Sequence, residues 1–385
     1  SSLGQLYVAG VKVDWAGFDR DYLRTKVALP TYPFQRQRYW VENTPPQLQR
    51  PQNSTKLHPL LDKKIDLPLS KEILFESDFS TQNLPFLVEH QVYNFVVVPE
   101  ACHLSLLLGA AKLTFATEAC LLENIVFPQP LVIPEDAVRP VQLVLSPQES
   151  GTSFQLISFE PTNSVGNTAH NGSTQVKQWV IHATGMIYNT VSSKLETISI
   201  PEIQARCPQT KNGREIYQYF WQKRQMQLGP SFQWLDCIWC GEGEALAQMK
   251  CPALVNQLNE YQLHPGLIDS CLQLTSTLFS VDDTFLPFAI ESFQFYQRPQ
   301  TQQLWCHARR RQSENSNDDE LIADIKLFDA SGQLIAQIKG LSGRKATREL
   351  LLHSLYQDVA EWLYEIDWQV VEKSQSKATP EGSWL

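Results

Sequence analysis

The sequence predicts an α+β protein built from two similar halves. Two observations carry this. Short runs with partial apolar–polar alternation, bounded by turn residues, recur along the chain and read as antiparallel strands. Each half also holds one helix that opens with a proline, at Pro99 and at Pro265. The length agrees, since 385 residues suffice for two or three units at about 150 residues each.

In chain order, residues 1–43 form a first region ending in Leu29-Pro30-Thr31-Tyr32-Pro33-Phe34 through Tyr39-Trp40. Its prolines forbid a helix interior, and it has too little apolar content for a core of its own. Residues 44–56, rich in Pro, Gln, Asn and Ser, have linker composition. The first half spans 57–190. Its strands include Val141–Leu145, Phe154–Phe159 and Trp179–Ala183, and Pro161–Gln178 reads as a long hairpin loop. Its helix runs from Pro99 to about Ala116, because proline suits the first helical turn. Leu104, Leu107, Leu108 and Ala111 fall on one stripe.

Residues 191–207 link the halves, and the second half spans 208–345. A helix over Ile216–Lys223 comes first. A second, from Pro265 to about Phe279, aligns Leu267, Cys271, Leu274 and Leu278. Ile322–Phe328 and Gln333–Lys339 flank the turn Asp329-Ala330-Ser331-Gly332 and form a hairpin. Residues 346–385 hold a polar helix, then Leu363–Trp368 and a tail that reads as cut from a longer chain.

The 41 acidic residues outnumber the 32 basic ones, a net charge of −9, which argues against a nucleic-acid binder. No apolar run is long enough to span a membrane. The first residues lack the features of a secretory leader. The eight scattered cysteines then read as reduced thiols in a cytoplasmic setting. Cys237 and Cys240 have C-x-x-C spacing, but no second pair accompanies them. They are expected to be core thiols rather than metal ligands.

Common nucleotide-binding, serine-hydrolase and zinc-protease motifs are missing. What remains is His90, shortly before the first helix, and Asp269, on the first turn of the second. Gln273 stands four positions on, where its amide can hold the Asp269 carboxyl group. Alone, each has an ordinary structural explanation: a packed strand-end histidine, or an aspartate favoured by the helix dipole. At equivalent positions of two halves, a base and an acid can face each other across a shared cavity. His58, His103, His182, His264 and His307 are not expected to be the base, and His264 is expected to support the turn before its helix.

These residues carry a family resemblance. His90 to Pro99 resembles the H-x-x-x-G-x-x-x-x-P motif of dehydratase domains from modular polyketide synthases. Leu228-Gly229-Pro230-Ser231-Phe232 is similar to their Y-G-P-x-F motif, and His264 to Gln273 to their H-P-x-x-x-D-x-x-x-Q element. Leu286-Pro287 matches a fourth. The motifs stand in the family's order between Leu57 and about Arg344. Two positions depart from the pattern. Asn94 replaces a glycine and is expected to keep a positive φ while adding a polar group near the substrate. Leu228 replaces a tyrosine and removes a hydroxyl. Glu100, where the family often has glycine, is a further departure, although a carboxylate is electrostatically favoured at a helix N-terminus.

The resemblance implies a double hot-dog fold, each half a central helix wrapped by antiparallel sheet. It implies elimination of water from a 3-hydroxyacyl chain, carried on the phosphopantetheine of an acyl carrier protein, to give a trans-2-enoyl thioester. His90 is then the base and Asp269 the acid; alternatively, His90 moves the proton both ways and Asp269 with Gln273 only orients the leaving group. Asn94, Pro99, Leu228, Gly229 and Pro230 support the site or orient the substrate. No metal or redox cofactor is implied. The flanks resemble the linker after an acyltransferase domain and, at Tyr364–Trp368, the opening of a methyltransferase or of the structural part of a ketoreductase. Family members commonly form homodimers. A degenerate structural domain, or a double-bond isomerase or cyclase using the same two positions, remain alternative readings.

Overall fold

Ile73–Phe79 shows the rule by which most of this molecule folds. Phe75, Ser77 and Phe79 are buried while the residues between them are only partly covered, the period of a strand with one face on a core. In a computed structural model of the chain, described for residues 2–23, 56–134, 137–159, 179–189, 197–279, 282–301, 303–311 and 321–355, such strands assemble into a continuous thirteen-stranded sheet. The aromatic segment ending at Trp40, most of the 44–56 linker, the Pro161–Gln178 loop and the tail with Tyr364–Trp368 lie outside the described residues.

The chain divides into two units, Ser1–Ser54 and Thr55–Leu385. In the first, α1 (Ser2–Val8) and α2 (Trp15–Asp19) are short. Asp14 caps α2 by accepting from the Gly17 N–H at 2.9 Å, and Trp15 meets Tyr7 and Phe18 edge to face.

In the second unit the first half supplies β1 (Lys63–Asp66), β2 (Ile73–Phe79), β3 (His90–Val92), β4 (Phe95–Val98), α3 (Glu100–Phe115), β5 (Cys120–Val126), β6 (Leu131–Ile133), β7 (Arg139–Pro147), β8 (Thr152–Phe159) and β9 (Trp179–Asn189). After α4 (Ile200–Arg206), the second half supplies β10 (Gln209–Asn212), α5 (Gly213–Arg224), β11 (Met226–Leu228), β12 (Leu235–Cys240), β13 (Glu244–Lys250), α6 (Pro265–Leu274), β14 (Phe285–Phe295), β15 (Gln303–Arg310), β16 (Ile322–Asp329) and β17 (Leu334–Lys345), followed by α7 (Arg348–Leu355).

The large sheet runs β1-β2-β7-β8-β9-β5 through the first half and continues β14-β17-β16-β15-β13-β12-β10 through the second. The halves join where β5 pairs antiparallel with β14, from Val126 opposite Ala289 to Cys120 opposite Phe295. Joining there removes two free sheet edges. A smaller sheet, β11-β3-β4-β6, also crosses between halves, placing Leu228 opposite His90.

Each half wraps one helix. The apolar stripe expected on α3 is too narrow a description, because every residue from Glu100 to Ala111 is buried. A helix enclosed on all sides has no polar face to keep. Gly109 lets it press against the His58 ring, which a Cβ would meet at 2.8 Å. α6 is likewise buried from end to end, but stops at Leu274 and tightens into a 3-10 turn over Thr275–Leu278, short of the expected end at Phe279. α3 and α6 pack on one another, and Ser105 Oγ donates to the Leu263 carbonyl at 2.7 Å.

Other elements run longer than the sequence suggests. The helix read from Ile216 spans Gly213–Arg224, capped by Asn212, and β9 extends to Asn189. α4 lies within the inter-half stretch, where Ile203 and Cys207 pack with Leu246 of β13. α7 is less polar in practice than in composition: Leu351 is buried in the main core, as is Ala346 just before the helix. Cys237 and Cys240 stand three apart on β12, so their side chains project to opposite faces.

Candidate active site

The β3–β4 hairpin positions the first candidate. Tyr93 and Asn94 both take positive φ, 51° and 66°, forming the tight turn that reverses the strand. Asparagine tolerates this conformation, so the replacement of glycine keeps the hairpin. The Asn94 side chain is exposed and is not among the residues lining the cavity beside His90, contrary to the expectation of a polar group near the substrate.

Across the hairpin, His90 Nδ1 lies 2.8 Å from the Val97 carbonyl oxygen. A carbonyl can only accept, so Nδ1 carries the hydrogen and Nε2 holds a free lone pair. His90 is almost completely buried and its ring lies 5.2 Å from that of Phe232.

Phe232 is held there by the segment starting at Leu228. The Gly229 N–H donates to the Glu89 carbonyl at 2.7 Å, and the Ser231 N–H donates to Glu89 Oε2 at 2.6 Å. A Cβ on Gly229 would meet the Glu89 side chain at 2.7 Å. Pro230 opens the 3-10 turn that swings Phe232 inward. Leu228 is buried opposite His90 and is not among the cavity-lining residues. These residues therefore frame His90.

Pro99 is the N-cap of α3 rather than its first helical residue, and its carbonyl accepts from the Cys102 N–H at 2.8 Å. Pro265 does occupy the first turn of α6, and His264 caps that helix by accepting from the Gly266 N–H at 3.1 Å. Gly266 is required by proximity: a Cβ would come within 1.9 Å of the Ser231 carbonyl oxygen. This close approach seats α6 against the Phe232 segment. Ser270 Oγ then donates to the Phe232 carbonyl at 2.9 Å, as does Gln273 Nε2 at 3.1 Å.

Gln273 Nε2 also donates to Asp269 Oδ2, as the four-residue spacing predicts. Asp269 is raised above the usual carboxylate range, chiefly by burial; positive charge on His90, when it takes a proton, and the Gln273 hydrogen bond pull the other way. His90 from one half and Asp269 from the other, with Glu100, Gln273 and Arg224, line one cavity of about 90 Å³.

The other five histidines weighed as candidates lie away from this cavity. His182 bonds Ser158 Oγ and the Gln129 carbonyl, and His307 lies 3.0 Å from Glu244. None of the five lines the cavity. The sequence reading overlooked Glu89, the Val97 and Phe232 carbonyls, and Ser270. A carboxylate directly before His90 and a serine directly after Asp269 are the only local signals, and neither marks a distant partner.

Residues 58–159 match the family model described as polyketide synthase dehydratase domain, and residues 196–353 match polyketide synthase dehydratase N-terminal domain. The dehydratase domain from the CurJ module of curacin polyketide synthase is 47% identical, with a TM-score of 0.68, and the match covers 77% of this chain and 100% of that one. The chain belongs to the polyketide synthase dehydratase family. The dehydratase domain from the CurF module of the same synthase is 31% identical, with a TM-score of 0.66 over 75% of this chain and 99% of that one. These similarities establish the double hot-dog fold and a hydro-lyase activity for the family unit. Polyketide synthase PksN of Bacillus subtilis (strain 168) is 28% identical over 99% of this chain but only 7% of its own length. This chain therefore spans a small part of the multidomain synthases it matches.

Proposed function

We propose that this domain removes water from a 3-hydroxyacyl thioester held on the phosphopantetheine of an acyl carrier protein, leaving a trans-2-enoyl thioester. The observation that carries this reading is the tautomer of His90: with Nδ1 committed to Val97, Nε2 is a base facing the cavity shared with Asp269.

His90 Nε2 takes the C2 proton, which the thioester acidifies. The C2–H electron pair becomes the new double bond, the C3–O bond breaks, and Asp269 gives its proton to the departing oxygen. Burial raises the Asp269 carboxyl above its ordinary range, which favours the protonated form that step needs. The N-terminal end of α3, opening beside the cavity at Glu100, favours negative charge developing on the thioester oxygen. Atoms and electrons balance without a redox cofactor.

The test uses a 3-hydroxyacyl carrier-protein thioester in both C3 configurations and reads loss of one water by mass. Wild type turns over one of them, and His90→Phe abolishes turnover while staying folded. A folded wild type inert towards both would instead mark a structural domain.

The same reading takes 57–345 as the catalytic unit and sets it in a cytoplasmic synthase, after an acyltransferase and before a methyltransferase or ketoreductase region. The length of the related synthases supports such neighbours. It also has the domain acting as a homodimer, which sedimentation of the intact synthase would test.

A further inference from the structure

Glu100 takes no proton in this scheme, yet it is the least ordinary group in the cavity. It is the first residue of α3 and only 5% exposed. Its carboxyl group accepts from its own backbone N–H, and no described cation forms an ion pair with it. Two carboxyl groups in one water-poor cavity cannot both ionise cheaply. Burial above all, with a smaller contribution from any negative charge on Asp269, pushes Glu100 up to about 8, so at neutral pH it carries an O–H.

The other groups facing it leave that state in place. Burial opposes ionisation, and Asp269 on α6 does so whenever it is charged; Cys102 on α3 has a thiol pushed well up by the same surroundings. His90 on β3 lines the cavity, and Arg224 on α5 lies over the Tyr219 and Phe220 rings.

An independent feature points to the same ligand. Gln273 lines the cavity, and its Oε1 is buried with no hydrogen-bond partner, a costly state unless something arrives to donate. The cavity thus offers one spare donor, on Glu100, and one spare acceptor, on Gln273. A 3-hydroxyacyl thioester presents the complement: a carbonyl that accepts and a hydroxyl that donates.

We propose that Glu100 is a third substrate-contacting group, whose neutral carboxyl donates a hydrogen bond to the thioester carbonyl oxygen and keeps its proton throughout. This rests on the elimination reading above. Once ionised, Glu100 places a negative charge where the enolate oxygen develops, and catalysis stops.

The experiment measures kcat/KM against pH for wild type, Glu100→Gln and Glu100→Ala with a 3-hydroxyacyl pantetheine thioester. Wild-type activity should fall through pH about 8, by about tenfold per pH unit beyond it. Glu100→Gln keeps a neutral donor, so it should retain activity at neutral pH and lose this alkaline fall. Glu100→Ala should lose about 100-fold at neutral pH. A wild-type profile with no fall near that pH overturns the proposal without recourse to any variant. So does a Glu100→Gln profile matching wild type, or an Ala variant as active as wild type. A folded wild type that dehydrates no substrate overturns the elimination reading itself, and this proposal with it.

Discussion

At the scale of single residues, the site works by giving two titratable groups opposite environments. In the proposed elimination one backbone carbonyl orients His90 as the base, while burial raises the Asp269 carboxyl towards the protonated form an acid needs. Asparagine at 269 keeps the hydrogen-bonding shape but has no proton to give, so Asp269→Asn should lower kcat by about 10²–10⁴-fold. Near-full activity in that variant would reassign the proton to His90 and leave Asp269 an orienting role. Gln273 offers a finer test. Its hydrogen bond favours the charged carboxylate and so lowers the Asp269 pKa. Gln273→Ala should therefore raise that pKa further and prolong protonation of Asp269 to higher pH, even as turnover falls through poorer orientation. A carboxyl infrared band followed against pH would show the shift, and a downward movement would contradict it.

At the scale of elements, the decisive contact is between the start of α6 and the turn carrying Phe232. Gly266 lies so close to the Ser231 carbonyl that any side chain must push the two apart. Gly266→Ala should cost about 1–3 kcal/mol as an overpacked contact, read from the midpoint of denaturant unfolding. It should also reduce activity beyond the stability loss, because Ser270 and Gln273 both hold the Phe232 carbonyl from this helix. Unchanged stability and turnover would mean that α6 has room to move. The β3–β4 hairpin is more forgiving. Asn94→Gly should preserve activity within about threefold, since glycine adopts the same positive φ at little cost and the asparagine side chain is exposed.

At the scale of the whole molecule, four buried histidines set the acid limit of stability. Burial depresses His103 to about 3 and His58, His182 and His264 to about 4. In the unfolded chain each takes its proton near 6.5, so between these values the unfolded state binds more protons than the folded one. Stability then falls as pH drops from about 6.5 towards 4, with each histidine adding up to about 1.4 kcal/mol per pH unit. Urea unfolding across that range should show the slope, and His103→Leu should reduce it; a pH-independent midpoint would show that these histidines are not buried neutral. Much of this molecule was legible from residue order alone. Alternation marked the strands, Pro99 and Pro265 marked the helix starts, and the i, i+4 spacing paired Gln273 with Asp269, because local periodicity and backbone restriction act within a few residues. The motifs around His90 and Asp269 pointed to the dehydratase family. Only the tertiary structure closed β5 onto β14, enclosed α3 on every side, aimed His90 through the Val97 carbonyl and brought Glu100 into the same cavity as Asp269. Those outcomes depend on burial and on partners far apart in the chain, and no local pattern records how much water a group will lose on folding.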